Sequence, residues 1–382
     1  MVTEYIIKSD NFCMNPQNEK IIIVAAIVTL SISAAVFIFT SNPSPTKPSS
    51  PVVKPPVQAT TTTLFLAGDI MLSRDVRGKI LQSNNSSLPF LNTLNDTREA
   101  DIAFANLESP FSNQPRVSED PISFKADPDF VSGLVNAGFD ILSTANNHAF
   151  DQDQAGVDYT AKHLEESGIK PLGTLSNCHD GVVMEANGIK FGFLGYSYAA
   201  HNDGGVVSEP SVCSWNNMTE ISRDITRLKP QVDFLIVSSH FGAEYQRKPS
   251  AEDSQTARNI IELGADMFIG HHPHWVQTIE EYKGRYIFYS LGNFVFDQMW
   301  SQDTKEGLTL KATFKDKRLD KVELKPVVIE SYCCPRFASE QETKNILTKI
   351  NPNYISNMLI EGGKTTPSWT TALSQNFQVR IP

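Results

Sequence analysis

The residues able to do chemistry fall in six short clusters, and each follows directly on an apolar run. LFLA leads into Gly68-Asp69, IAFA into Asn106-Leu107-Glu108, and ILSTA into Asn146-Asn147-His148. Farther on, FLIVSS leads into His240, MFIG into His271-His272-Pro273-His274, and IFYSL into Gly292-Asn293. Such side chains hold divalent ions: imidazole suits Zn, Mn or Fe, and carboxylate suits Mg or Mn. In open α/β sheets, ligands bind beyond the carboxyl ends of the strands. Six strands ending this way aim one ligand set at one crevice, with Asp69, Asn147, His240, His272 and His274 as a metal-binding core. Pro273 fixes the chain between two imidazoles, which on extended backbone can flank one ion or bridge two.

Read singly, these residues say less. Asp69 also suits a turn or a helix cap, Asn146-Asn147 a turn, and His240 a hydrogen-bonded structural position. Their joint placement is what favours a metal. His163 falls within a predicted helix, and His179 and His201 in loops. His271 is expected to point away from His272, so none of these four is assigned to the site.

The elements that must position the clusters form an α/β pattern from Thr62 onward, with short apolar runs alternating with helical periods. Strands are predicted at Thr62 to Ala67, Ile102 to Ala105, Asp140 to Thr144, Phe234 to Ser238, Met267 to Ile269 and Tyr286 to Tyr289. A helix spans Gln154 to Ser167, and another spans Ala251 to Leu263 and is closed by Gly264. Val182 to Tyr198 reads as a hairpin turning at Asn187-Gly188. Leu308 to Glu330 gives two strands around a charged turn. The main domain is thus placed at 63–330, with 331–382 as a weakly patterned extension packed on it.

Residues 21–39 carry no charge and are long enough to span a bilayer as a helix. They are read as an uncleaved anchor, with a cleaved signal peptide as the competing reading. Segment 1–20 is then cytoplasmic. Residues 40–62, rich in Pro, Ser and Thr, form an extended stalk that holds a single-pass protein's domain outside the cell. Small residues within 21–39 also suit helix packing against a partner in the membrane.

Across 382 residues, 33 basic against 43 acidic side chains give a net charge of −10. Nucleic acid is therefore not an expected partner, because phosphate contacts need a basic surface. An anionic substrate is not excluded, since a bound divalent ion can dominate the field of its pocket. The five cysteines form no CxxC pair, so a thiolate zinc site is not expected. One bridge among Cys178, Cys213 and the Cys333-Cys334 pair is allowed.

Six segments appear in an order that resembles the CapA family, the poly-γ-glutamate capsule-synthesis proteins with a calcineurin-like metallophosphoesterase fold. They are Gly68-Asp69-Ile70-Met71-Leu72, Asn106-Leu107-Glu108, Asn146-Asn147-His148 with Asp151, His240 to Tyr245, Gly270 to His274, and Ser290 to Phe294. The resemblance covers about Leu64 to Val328. It implies two sheets flanked by helices, with one or two divalent ions (Mn, Zn, Fe or Mg) at one edge. Asp69 then matches the first metal-binding Asp, and Asn147 the metal-binding Asn. His240, His272 and His274 match the histidine ligands, and His148 the acid or oxygen stabiliser. Glu108 is the bridging carboxylate, with Asn106 as the alternative. Met71 stands where an ordinary metallophosphoesterase has a histidine, and thioether is a poor ligand for hard ions. One metal position is therefore expected to be under-ligated.

With that resemblance, Arg74, Asn106, Glu244, Tyr245 and Asn293 are expected to contact substrate. The function implied is a metal-dependent hydrolase or transferase for an anionic, γ-linked glutamate polymer, in its synthesis, attachment or export. Two alternatives stand beside it: a phosphoesterase on a small or envelope phosphoester, and a non-catalytic accessory subunit of a membrane synthase.

Overall fold

The computed structural model describes residues 61–174, 177–199 and 212–350, and the backbone of 377–380. The predicted anchor at 21–39 and the segment 1–20 lie outside the described residues, as does the linker up to residue 60. Its last two residues, Thr61 and Thr62, instead open the first strand. Among the described residues no helix is long and apolar enough to cross a membrane.

In chain order the early strands are β1 (Thr61–Ile70), β2 (Ile102–Leu107), β3 (Ile141–Ser143), β4 (Lys170–Leu172) and β5 (Val182–Ala186). Next come β6 (Ile189–Ser197), β7 (Phe234–His240), β8 (Met267–His271), β9 (Ile279–Tyr282) and β10 (Arg285–Phe288). The last are β11 (Asn293–Val295), β12 (Glu306–Lys315), β13 (Arg318–Glu330), β14 (Cys334–Phe337) and β15 (Phe377–Arg380). The longer helices are α1 (Arg74–Ser83), α2 (Asp153–Glu166), α3 (Met218–Leu228), α4 (Ala251–Leu263) and α5 (Glu340–Ile350).

One sheet runs β14-β13-β12-β1-β2-β3-β4, with β11 added to β1 and β15 to β13; the other runs β5-β6-β7-β8-β10-β9. Their facing sides make the central core. Leu64, Leu66 and Phe104 from the first sheet meet Phe193, Ile236 and Ile269 from the second, and Phe104 stacks on Phe193 at 5.8 Å. Alternate residues point the other way, as strand period requires. Phe65, Ala67 and Ala105 pack under α1, while Leu235 and Val237 pack under α3 and α4. The result is a mixed α/β sandwich of two sheets flanked by helices.

The predicted hairpin forms as β5 and β6. Asn187 and Gly188 both take positive φ, 50° and 77°, the two-residue turn whose twist matches its strands. Four other strands run past their predicted ends, β1 to Ile70, β2 to Leu107, β7 to His240 and β8 to His271, so several polar residues belong to the ladders. Asp69 pairs with Asn106 of β2 on one side and with Asn293 of β11 on the other. The pairing shifts register between Leu66 and Asp69, an irregularity of the kind that re-aims side chains beside active sites. Gly68 permits it: a Cβ there would lie 1.9 Å from the Gly292 carbonyl oxygen.

The C-terminal extension packs on the domain through β14 on β13 and through Ile346, Leu347 and Ile350 of α5 in the central core. Two disulfides occur where one was allowed, Cys178–Cys213 and the adjacent pair Cys333–Cys334.

Candidate metal centre

The polar ends of β1, β2 and β3 in one sheet meet those of β7 and β8 in the other. Asn147, in the turn after β3, places Oδ1 2.8 Å from Nε2 of His240 at the end of β7. Nδ1 of His272 lies 3.1 Å from the same nitrogen. Three ligand-type atoms thus converge from three elements, the spacing expected around one shared cation. The backbone that presents the last imidazoles is not extended, contrary to the sequence expectation. β8 stops at His271, and His272 and His274 take φ of 97° and 57°. Left-handed conformations at non-glycine residues persist only where the surroundings impose them, and they gather at functional sites. Here Tyr245, itself at φ 58°, donates its backbone N–H to the Pro273 carbonyl at 2.9 Å.

Glu108 lies beside this group. It is fully buried, and neither carboxylate oxygen has a hydrogen-bond partner among the described residues. Around it stand three imidazoles: Nε2 of His148 at 3.8 Å, of His274 at 3.8 Å and of His240 at 4.0 Å. A buried, unpaired carboxylate is costly unless a cation meets it. Ligand atoms of Asp69, Glu108 and His240 all lie within 4.8 Å of one another. An orphaned carboxylate ringed by imidazole nitrogens fits a divalent ion, so these side chains form a possible Asp/Glu/His metal site.

The electrostatics point the same way. Burial, reinforced by the neighbouring imidazoles, drives His240 well below the usual histidine range. His272 is pushed down to about 3, by burial first and then by His274. Both rings are therefore neutral, the form that binds metal. Burial and the charges of Asp69 and Glu244 push Glu108 far above the usual carboxylate range. For Asp69, burial acts upward, but His271, His274 and Asn106 outweigh it and hold its carboxyl low.

The remaining residues sort by what they touch. His148 is held at Nδ1 by Asp151 at 2.6 Å and stacks on Phe124 at 3.8 Å. Asn106, expected to contact substrate or form the bridge, donates its amide to Asp69 at 2.9 Å and lies 3.3 Å from Nδ1 of His240. That places it behind the ligands, while Glu108 takes the central position. Asn293 accepts at 2.9 Å from Nδ1 of His274, and its amide is occupied by Gln298 and Thr304. It therefore fixes the ring so that Nε2 faces inward, as partners of metal-binding histidines do. Arg74 is tied to Asp297 and lies 4.7 Å from the Phe124 ring centre. Glu244 reaches to 3.8 Å from Nε2 of His274, and Tyr245 stacks on that ring at 5.9 Å. Met71 is buried in the apolar cluster with its sulfur accepting from the Ser73 N–H at 3.0 Å. His271, expected to point away and left out of the site, instead places Nδ1 3.2 Å from Asp69, and Tyr198, which carried no sequence signal, has its ring 4.8 Å from that of His272.

Residues 63–298 match the family model described as "Bacterial capsule synthesis protein PGA_cap". The chain is similar to the capsule biosynthesis protein CapA of Bacillus anthracis, 30% identical over 280 residues, covering 70% of this chain and 67% of that protein. It is also similar to the PGA biosynthesis protein CapA of Bacillus subtilis (strain 168), at 29% over 314 residues, 78% of this chain and 80% of that one. A probable polyglutamine synthesis accessory protein of Mycobacterium tuberculosis is 25% identical over 253 residues, with 60% and 65% covered. With a family model spanning more than half its length and these relatives beside it, the chain belongs to the bacterial capsule synthesis protein PGA_cap family.

Proposed function

We propose that this protein acts in forming a poly-γ-glutamate capsule or related surface polymer, as a metal-dependent hydrolase or transferase that acts on the polymer's amide bonds. The domain works on the extracytoplasmic side, carried by the anchor at 21–39 and the stalk that follows. The observation that carries this reading is the buried carboxylate of Glu108, unpartnered and ringed by three imidazole nitrogens. The names of the Bacillus relatives supply the biological setting.

Asn147, His240 and His272 would hold one ion, and Asp69 with His274 a second, weaker one, with Glu108 between them. Met71 adds no ligand to the second position. A divalent ion bound there supplies Lewis acidity, activating water and polarising the electrophile. The protein's own part is positional and acid–base. Asp151 fixes His148 at Nδ1, and the opposite nitrogen faces the centre, placed to give a proton to the departing nitrogen. Glu244 and Tyr245 border the centre where substrate enters. Arg74, already paired with Asp297, shapes the wall around Phe124.

The experiment is a cleavage assay on a γ-linked glutamate polymer with Mn or Zn added. The reading expects chain shortening that Glu108→Gln and His148→Ala abolish. Turnover of a generic phosphodiester alone would replace it with the phosphoesterase reading. A second reading has its own support, the accessory name of the mycobacterial relative: a non-catalytic subunit of a membrane synthase. Capsule formation undiminished in a His148→Ala strain would favour it.

A further inference from the structure

Met71 leaves the second metal position short of a ligand, and the loop after β7 brings another residue to it. The Glu244 carboxylate stands 3.8 Å from Nε2 of His274. The same nitrogen lies 3.8 Å from Oε1 of Glu108, which is buried and has no hydrogen-bond partner among the described residues. One imidazole nitrogen thus faces two carboxylates, at separations too long for hydrogen bonds. Ligand atoms held about 2.1 Å from a shared ion lie at most about 4.2 Å apart, so both separations fit coordination. Among the described residues no Lys or Arg pairs with Glu244.

The chain around Glu244 is clipped to the segment that carries His274. The Phe241 N–H donates to the His271 carbonyl at 3.1 Å, and the Tyr245 N–H to the Pro273 carbonyl at 2.9 Å. Within this stretch Tyr245 takes φ of 58°, a conformation that persists at a non-glycine residue only where contacts impose it. Side chains close the same frame. Asn293 accepts from Nδ1 of His274 at 2.9 Å and donates its amide to Gln298 at 3.1 Å. The Gln298 amide in turn donates to the Tyr245 hydroxyl at 3.3 Å. One network therefore orients His274 and the residue next to Glu244.

Asp69, Glu108 and His274 are buried, whereas the Glu244 side chain is 40% exposed. Glu244 thus reaches the second position from the solvent side. Charge favours an ion there. With Asp69, Glu108 and Glu244 in one pocket, a single divalent ion leaves the pocket negative. A second divalent ion reverses the sign, which an anionic polymer requires of its site.

We infer that Glu244 is a ligand of the second metal position, completing with Asp69, Glu108 and His274 the set that Met71 leaves short. The inference rests on the metal-dependent reading above. Glu244 then decides how many ions the chain holds, and so the sign of the charge that meets the substrate.

The test is manganese titration of the full, metal-stripped chain, followed by calorimetry and by electron paramagnetic resonance. Wild type should take up two ions and show the exchange-coupled spectrum of a close pair, as in two-metal sites about 3.5–4 Å apart. Glu244→Gln should keep the first ion at unchanged affinity and show only the spectrum of an isolated ion. Its second ion should bind at least about 100-fold more weakly, beyond the range for an outer-shell partner. Glu244→His, neutral but able to ligate, should restore the second ion, which a purely electrostatic role would not allow. Two tight ions in Glu244→Gln, a second ion lost equally from both variants, or a single ion in wild type overturns the assignment. Polymer cleavage on the same preparation separates the two ideas. No cleavage by a chain holding both ions removes the hydrolase reading alone, and cleavage by a chain whose ions ignore Glu244 removes the ligand assignment alone.

Discussion

Oε1 of Glu108 lies 3.8 Å from Nε2 of His274, and no donor among the described residues satisfies either oxygen of that carboxylate. The pair comes from different sheets, Glu108 just past β2 and His274 just past β8, so it exists only where the two sheet edges meet. It is held open at a distance too long for a hydrogen bond and suited to an ion between.

Replacing Glu108 by Gln should therefore have opposite effects with and without metal. In metal-free protein at neutral pH the variant should be more stable by about 1–3 kcal/mol, because burial opposes ionisation of Glu108 and the amide folds without having to take up a proton. With added Mn or Zn, the rise in melting temperature seen for wild type should shrink or vanish. Thermal unfolding with and without metal reads both signs at once.

Asn293 makes no contact with the ion in this account, yet it sets which nitrogen of His274 faces inward. Asn293→Ala should weaken metal affinity by roughly 10–100-fold, the usual effect of losing such a partner, and leave the fold intact. Competition with a metal chelator measures it. Unchanged affinity would remove Asn293 from the site.

His272 gives a pH signature. Its folded-state pKa, about 3, lies below the ordinary value near 6.5. Between those values the unfolded chain binds a proton at this position that the folded chain does not. Its contribution to stability is thus fully present above about pH 6.5 and falls as pH drops toward 3. Glu108, shifted upward, gives the opposite slope above its ordinary range. The His272 part is therefore read as a difference. Urea unfolding of metal-free His272→Gln should fall less between pH 7 and pH 5 than wild type. The slope involved is at most about 1.4 kcal/mol per pH unit.

Much of the site can be read from strand ends alone. The alternation of Leu64, Phe65, Leu66 and Ala67 fixes β1 and its two buried faces, and the residues after it must emerge at the sheet edge. The same reasoning brings Glu108, Asn147 and His240 together. What stays illegible depends on contacts distant in sequence. The left-handed turn at His272-Pro273-His274 is imposed by Tyr245 and the end of β8, and the pattern HPH reads equally well as extended chain. Asn293 serves His274 because β11, only three residues long, slots against β1 at Asp69. Tyr198 follows an apolar strand like many tyrosines, and its neighbour His272 lies 74 residues on (272 − 198). Asn106, expected to meet substrate or bridge the ions, instead gives its amide to Asp69 and lies against His240.

The most direct measurement is the metal content of the purified chain by elemental analysis, beside that of His272→Ala. At least one divalent ion per wild-type chain, largely lost in the variant, is the result this account predicts. No bound metal in wild type after reconstitution, or full content in His272→Ala, would contradict it.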